Sequence, residues 1–214
     1  MSIQELINRV DYEGLHEALT QQPELANEGI PFDDANRIKA HPLHRLCDGV
    51  FAGTYTDHEA AEMAKIFLAH GAAVNGYGFE ENRDTPLVAA ASLHADEVAL
   101  LYIAHGADIH HGGCHGGTAL HWAAWCGRDI VVERLLQERP EINRLCIDFK
   151  STALLWAVHG YRFGGDTNRH NQVACVQLLL QAGADASIPN LEGYTPLEFL
   201  QPEDDALRAL LIHA

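Results

Sequence analysis

The sequence predicts an all-α repeat solenoid in which successive helix pairs are joined by short extended fingers. One tetrapeptide occurs five times, as HPLH, TPLV, TALH, TALL and TPLE, beginning at positions 41, 85, 118, 152 and 195. These starts lie 44, 33, 34 and 43 residues apart, so a base period of 33 residues runs through the chain with two enlarged copies. Self-similarity at a fixed period of this length indicates stacked structural units rather than one conventional core.

Each unit is predicted to hold a short first helix, a turn, a second helix and a glycine stop. Thr118 suits a helix N-cap, because its hydroxyl can accept from the unpaired N–H groups of the first turn. Pro86 suits the first helical position, where no N–H is needed. Apolar runs such as 178–180 form the buried stripe of the second helix. Gly71 and Gly183 then supply the left-handed residue that commonly ends a helix.

The two ends of the chain carry shortened versions of the same unit. Residues 15–27 (LHEALTQQPELAN) echo residues 133–143 (ERLLQERPEIN), so residues 1–27 are predicted to form a degenerate first unit. Residues 195–214 are predicted to form a short last unit, with acidic residues at 203–205 placed at the N-terminus of its second helix. The unit whose motif begins at Thr118 departs from the pattern, since Pro140 stands near the position of the stop glycine.

The tetrapeptide and its period resemble the ankyrin repeat. The resemblance covers almost the whole chain and implies one domain, 1–214, in six approximate units: 1–36, 37–80, 81–113, 114–147, 148–190 and 191–214. It implies a stack of antiparallel helix pairs joined by β-hairpin fingers. It also implies a non-catalytic module that binds a protein partner on its concave face.

Two units are longer than the others between their paired helices. Units beginning at 85 and 118 reach the end of the second helix in 18 positions, whereas those beginning at 41 and 152 need 27 and 28. The insertions are expected around Gly49–Asp57 and Tyr161–His170, and both contain Phe-x-Gly followed by a histidine seven residues after the Phe. Neutral loop growth and a functional role both remain open, because surface loops tolerate insertion and also often carry function.

The ankyrin resemblance assigns candidate binding residues by their place in the unit. The seventh residue after the motif start (Trp125, His159) and the finger residues before it are implied to contact partners. The fourth residue (Trp122, Trp156) is more typical of packing, although aromatic anchors are also enriched at interface hot spots. The full candidate set is Trp125, His159, Trp122, Trp156, Asn82, Cys114, His115, Phe149, Tyr161 and Phe163.

A histidine and cysteine cluster offers an alternative function. His111, Cys114 and His115 lie close in sequence, and Cys146 falls on the neighbouring finger. Such ligands can hold zinc or copper, which would make the chain a metal- or redox-responsive regulator. Their spacing matches no standard zinc module, however, so no metal and no other cofactor is expected.

Catalytic templates are missing from the sequence. The four serines stand in no Gly-x-Ser-x-Gly elbow, and there is no phosphate loop, His-Glu-x-x-His or dinucleotide fingerprint. A Cys126–His159 pair on adjacent inner helices is more simply explained by coincidence than by nucleophilic catalysis. The sequence therefore predicts no enzyme and no catalytic residue.

Composition limits the partner and the compartment. With 14 basic and 30 acidic residues the formal charge is −16, which disfavours nucleic acid and anionic membranes and favours a protein partner with a basic patch. Five cysteines without a Cys-x-x-Cys pair indicate reduced thiols. No secretory leader is apparent at the N-terminus. We therefore expect a cytoplasmic monomer.

Overall fold

A computed structural model of the chain describes residues 1–32, 35, 38–77, 83–164 and 169–212. Contacts divide the chain into two compact parts, each holding several repeats, which are considered separately. They are called the first unit (residues 1–80 with 84–108) and the second unit (residues 81–83 with 109–214). Both are built from consecutive helix pairs, which confirms the predicted all-α ankyrin-repeat class.

The first unit stacks three helix pairs in its described part. Within these pairs α3 packs on α4, and α5 packs on α6. The helices begin as the sequence predicts, since Thr85 Oγ1 accepts from Val88 N at 3.4 Å and Pro86 takes the first helical position. The helices are α1 (Ile3–Asn8), α2 (Tyr12–Gln21), α3 (Pro42–Phe51), α4 (Asp57–Ala69), α5 (Pro86–Ser92) and α6 (Asp96–Ala104).

One finger of this unit is a paired β-hairpin. Strands β1 (Ile30–Pro31) and β2 (Lys39–Ala40) are antiparallel, with Ile30 opposite Ala40 and Pro31 opposite Lys39. In the described residues this is the only strand pairing. In the second unit, the finger before α7 (Ala119–Trp125) instead contains a 3-10 turn at Cys114–Gly116, where His115 adopts a positive φ of 59°.

The two insertions lengthen helices, which corrects the prediction that they form loops. The first helices α5 and α7 (Ala119–Trp125) have 7 residues, whereas α3 has 10 and α9 (Ala153–Phe163) has 11. The second helix of each enlarged unit also grows, to 13 residues in both α4 and α10 (Arg169–Gln181). Thr56 caps α4 through a reciprocal pair with Glu59, so the first connection is reduced to residues 52–56. Residues 165–168 of the second insertion lie outside the described part of the chain.

The second unit continues the same scheme through α7, α8 (Asp129–Gln137), α9 and α10 to a terminal helix α11 (Asp205–Ile212). First helices pack on each other, α7 against α9, and second helices do the same, α8 against α10. The close approach of α7 and α9 requires Gly160, because a Cβ there would lie 2.0 Å from the Trp125 carbonyl oxygen. This contact brings the aromatic residues of the two helices within reach of each other.

The last repeat is short, as the sequence predicts, but within the described residues it has no first helix after its motif. Thr195 and Glu198 make the reciprocal capping bonds, with Glu198 Oε2 accepting from Thr195 N at 2.9 Å. Nevertheless only turns follow over 196–199, and the next helix is α11. The predicted acidic start of that helix is confirmed, since Asp205 lies in its first turn.

Glycine stops occur where the periodicity places them, with one substitution. Gly71, Gly106 and Gly183 have φ values of 85°, 77° and 92°. In the repeat that begins at Thr118 the left-handed residue is Arg139, at φ 55°, directly before Pro140. A side chain in this region strains the backbone, so this helix end is less favourable than the other three.

Across the described ranges, none of the helices combines the length and apolar character needed to cross a membrane.

Candidate functional site

The second unit contains an open pocket of about 430 Å³ lined mainly by aromatic side chains. Three tryptophans and two phenylalanines contribute to its wall: Trp122, Trp125, Phe149, Trp156 and Phe199. Helices α7 and α9 supply the tryptophans, and the finger before α9 supplies Phe149. A concave, largely apolar pocket of this size with a few polar groups is a typical ligand or anchor site.

Trp122 and Trp156 form the floor of the pocket because each is the fourth residue after the motif start of its repeat, and the two repeats are adjacent. Their ring centroids are 5.1 Å apart and the rings are inclined at 81°, an edge-to-face pair. Gly117 permits this packing, since a Cβ there would lie 2.9 Å from Trp156 Cη2 and 3.2 Å from Trp122 Nε1. Trp156 is only 6% exposed and Trp122 is half-buried. Packing therefore accounts for most of the Trp156 surface.

Trp122 also carries an unsatisfied polar atom. Its Nε1 is buried and finds no hydrogen-bond partner among the described residues. An unmade bond of this kind costs about 1–3 kcal/mol. A phenylalanine would keep an aromatic ring at this position without that cost, so the indole N–H itself does not stabilise the core.

Trp125 and His159 occupy the seventh position of their units and are joined directly. Trp125 Nε1 donates to His159 Nδ1 at 3.0 Å, which places the proton of a neutral imidazole on Nε2. Burial lowers the pKa of His159 below 6.5. The ring is also held by Phe163 and Phe199, whose centroids lie 4.7 and 5.6 Å away. His159 is therefore a neutral, fixed part of the pocket wall.

Finger residues close the opposite side of the pocket. His115 Nδ1 and Asp148 Oδ2 are 2.8 Å apart, and the His115 ring lies 5.2 Å from Phe149. Phe149 is 48% exposed, and its carbonyl accepts from Leu191 N at 2.8 Å, which ties one finger to the next. Leu191 is 67% exposed, so both fingers present apolar side chains to solvent at the rim.

Polar groups in the lining are few and mostly engaged. Asn190 Oδ1 accepts from Glu192 N at 3.0 Å and from Tyr194 N at 2.9 Å. Ser151 Oγ donates to the Phe149 carbonyl at 3.2 Å. Glu192 contributes the carboxylate of the lining, and no lysine or arginine lines the pocket in the described part of the unit.

The pocket gathers six of the ten candidate binding residues. They are Trp122, Trp125, Trp156, His159, His115 and Phe149. Phe163 is 60% exposed and contacts His159 from outside the lining, while Cys114 and Tyr161 are half-buried elsewhere in the unit. Asn82 lies outside the described residues.

Six further lining residues were not among the candidates: Ser151, Leu155, Asn190, Leu191, Glu192 and Phe199. Ser151 directly precedes the motif start Thr152, and Leu155 is the last residue of the tetrapeptide 152–155. Asn190 lies one residue before the finger positions that the family uses. Leu191 and Glu192 occupy those finger positions, four and three residues before Thr195, and reading one residue further identifies Asn190. Phe199 is the fourth residue after Thr195, the place that Trp122 and Trp156 take in their own repeats. No sequence signal marks Ser151, and nothing separates Leu155 from other motif leucines.

Three of the four candidate metal ligands have separate partners. His111 Nε2 lies 2.7 Å from the Arg83 carbonyl, and Cys146 Sγ accepts from Ser151 N at 3.4 Å. His115 is paired with Asp148 as described above. Among the residues that the structure describes, no three histidine, cysteine or acidic side chains converge as a metal site requires. The metal-responsive alternative therefore has no geometric support.

Helix pairs stacked in sequence order and joined by fingers define a repeat protein of the solenoid class. Residues 55–146 match the family model of ankyrin repeats in three copies, and residues 150–191 match the model of the ankyrin repeat. These matches cover more than half of the sequence, and the chain belongs to the ankyrin repeat family. Ankyrin repeats are general protein–protein interaction modules and are generally non-catalytic.

Two curated relatives share part of this sequence. The chain is 28% identical over 118 residues to a putative palmitoyltransferase ZDHHC13 of Danio rerio, a stretch that covers 55% of the chain and 17% of that protein. It is 36% identical over 94 residues to the palmitoyltransferase Hip14 of Drosophila melanogaster, covering 42% of the chain and 13% of that protein. The chain thus spans less than a fifth of each, and the similarity lies in ankyrin repeats, not in a catalytic domain.

Proposed function

We propose that this chain is a non-enzymatic adaptor that binds a protein partner, and that the aromatic pocket of the second unit receives the partner's anchoring side chain. The observation that carries the proposal is the group of accessible rings around an open cavity. Trp125 is half-buried and Phe149 is 48% exposed, although both line the same pocket. Aromatic residues around a concave site are the commonest energetic centres of protein interfaces.

Charge supports a basic partner. The formal charge of the chain is −16, and Glu192 and Asp148 stand on the fingers at the pocket. Opposite charges on two partners accelerate association and disfavour wrong partners more than they add affinity. Raising the salt concentration is therefore expected to slow association, because added ions screen exposed charges beyond about 10 Å at 0.1 M.

Capture of partners from a lysate of the source cells, followed by mass spectrometry, tests the proposal when pocket variants are compared in parallel. Trp125→Ala and Phe149→Ala are each expected to reduce recovery of the captured partner by about tenfold or more, as hot-spot truncations do. Phe51→Ala is the matched control, since Phe51 is 66% exposed but belongs to the other unit. Urea unfolding of each variant shows that the fold is retained. Full recovery of the partner by a folded Trp125→Ala variant would remove the pocket from the proposal.

A further inference from the structure

The rings of the pocket face an entering group from more than one direction. Trp122 is nearly perpendicular to both of its tryptophan neighbours, at 80° to Trp125 and 81° to Trp156. Phe149 is inclined at 60° to Trp156 with the centroids 6.3 Å apart. The half-buried rings of Trp122 and Trp125 and the exposed ring of Phe149 thus stand at angles around the nearly buried Trp156, unlike a flat stacking platform. Rings arranged in this way contact a compact, roughly spherical group on more sides than a planar one.

The electrostatics of the pocket favour a cation. Aromatic faces attract positive charge within about 6 Å of the ring centroid. Glu192 adds a negative charge to the lining, which contains no arginine or lysine among the described residues. The guanidinium of Arg162 lies outside the lining, where it donates to the Phe199 carbonyl at 3.2 Å and is 3.6 Å from Asp204 Oδ2, which balances its charge. His159 does not oppose the negative charge of Glu192 either, because burial lowers its pKa and its Nδ1 already accepts from Trp125. His115 is held by Asp148, whose Oδ2 lies 2.8 Å from its Nδ1.

The hydrogen bonds of the pocket favour a cation that has few or no N–H groups. A lysine ammonium has three donors and a guanidinium has five, and each needs an acceptor once water is removed. Here Asn190 Oδ1 already accepts twice, and His159 Nε2 carries its own proton. Glu192 supplies the carboxylate of the lining. Methyl groups on the nitrogen remove the unmet donors and enlarge the contact with the rings.

We propose that the pocket binds the methylated ammonium group of a lysine side chain on the protein partner. The proposal rests on the adaptor function proposed above and specifies the chemistry of the anchor. A volume of about 430 Å³ exceeds what one methylated nitrogen fills, so the pocket also accommodates the methylene stem of the side chain. A lysine side chain supplies both the methylated nitrogen and this stem, which favours a lysine within a polypeptide over a free small molecule.

Two pairs of probes test charge and source. Choline and its neutral carbon isostere 3,3-dimethylbutan-1-ol have the same shape, and an acetylated Gly-trimethyllysine-Gly amide is compared with its unmethylated form. Titration into ¹⁵N-labelled protein is followed through the indole N–H signals. We expect choline to bind about tenfold tighter than the alcohol, which corresponds to about 1.4 kcal/mol. The methylated peptide is expected to bind about tenfold tighter than the unmethylated peptide and tighter than choline.

Paired variants locate the interaction. Glu192→Gln is expected to weaken choline and the methylated peptide severalfold while leaving the neutral alcohol unchanged. Glu203→Gln removes the same charge from an exposed position outside the lining and is expected to change neither. Trp122→Phe retains an aromatic ring and is expected to retain binding, whereas Trp125→Leu is expected to lose it.

Several outcomes would overturn the proposal. Equal binding of choline and the alcohol would make the pocket an apolar anchor site. Tighter binding of choline than of the methylated peptide would assign the site to a small molecule. Absence of binding by all probes, with partner capture still lost in Trp125→Ala, would refute the methylated anchor and leave the adaptor function intact. If the Trp125→Ala variant kept both probe binding and partner capture, the methylated anchor and the role of the pocket in the proposed function would both be refuted.

Discussion

Acid should destabilise this protein through His121, and replacing His121 with glutamine should remove that effect. His121 is 2% exposed and lies beneath the pocket, with its ring 5.4 Å from that of Trp156. Its Nδ1 accepts from Thr118 N at 3.2 Å, and its Nε2 lies 3.1 Å from the Arg144 carbonyl. This arrangement requires the neutral ring protonated on Nε2. Burial lowers the pKa of His121 from 6.5 to about 4.

The sign and size of the effect follow from the two pKa values. Below pH 6.5 the unfolded chain takes up a proton at His121 while the folded chain does not, so the free energy of unfolding falls as the pH falls. At pH 5.5 the loss amounts to about 1.4 kcal/mol, and below pH 4 it approaches about 3 kcal/mol. Measurements at pH 5.5 also stay above the pI of about 5.1, where solubility is lowest.

Urea unfolding at pH 7.5 and 5.5 measures the effect. A glutamine at position 121 still completes the capping box with Thr118 but cannot be protonated, so the variant is expected to lose about 1.4 kcal/mol less stability than the parent over this range. His58→Gln is the control, because Glu97 raises the pKa of the exposed His58 and its removal acts in the opposite direction. Equal pH dependence of the parent and His121→Gln, or an NMR titration of His121 near 6.5, would refute the reasoning.

Three further predictions concern stability and are measured by urea unfolding at pH 7.5. Gly160→Ala should cost about 2 kcal/mol despite the better helix propensity of alanine, because its Cβ would collide with the Trp125 carbonyl; a stabilised variant would mean that α7 and α9 are further apart. Tyr102→Phe should cost about 1 kcal/mol, since the buried hydroxyl donates to the Leu43 carbonyl at 2.8 Å; an unchanged midpoint would contradict that bond. Arg139→Gly should add about 0.5–1 kcal/mol by relieving the positive φ, and a loss would show that this helix end is not strained.

Much of the fold follows from local signals in the sequence. The motif starts at 85, 118 and 152 each begin a first helix, and the glycines at 71, 106 and 183 each end a second helix at positive φ. These features are decided within a few residues by capping, proline geometry and the freedom of glycine, so the repeat alone identifies them. The capping signal fails at Thr195, where the reciprocal bonds form but no helix follows, because capping aligns a first turn without supplying the packing that stabilises a helix.

For the candidate site, the sequence determines less and the tertiary structure determines more. Position in the repeat placed Trp125 and His159 on the same face, because residues that share a place in the unit point in the same direction. Whether they touch depends on the close approach of α7 and α9 and on the side-chain rotamers. The 3.0 Å bond between them, the engaged oxygen of Asn190 and the unpaired Nε1 of Trp122 are therefore tertiary facts. The sequence by itself determined the repeat and its register, since both are periodic and local. Only the tertiary structure decided that the enlarged units lengthen their helices and that the aromatic residues enclose a pocket. The pocket in particular depends on packing between residues more than thirty positions apart, such as Trp125 and His159.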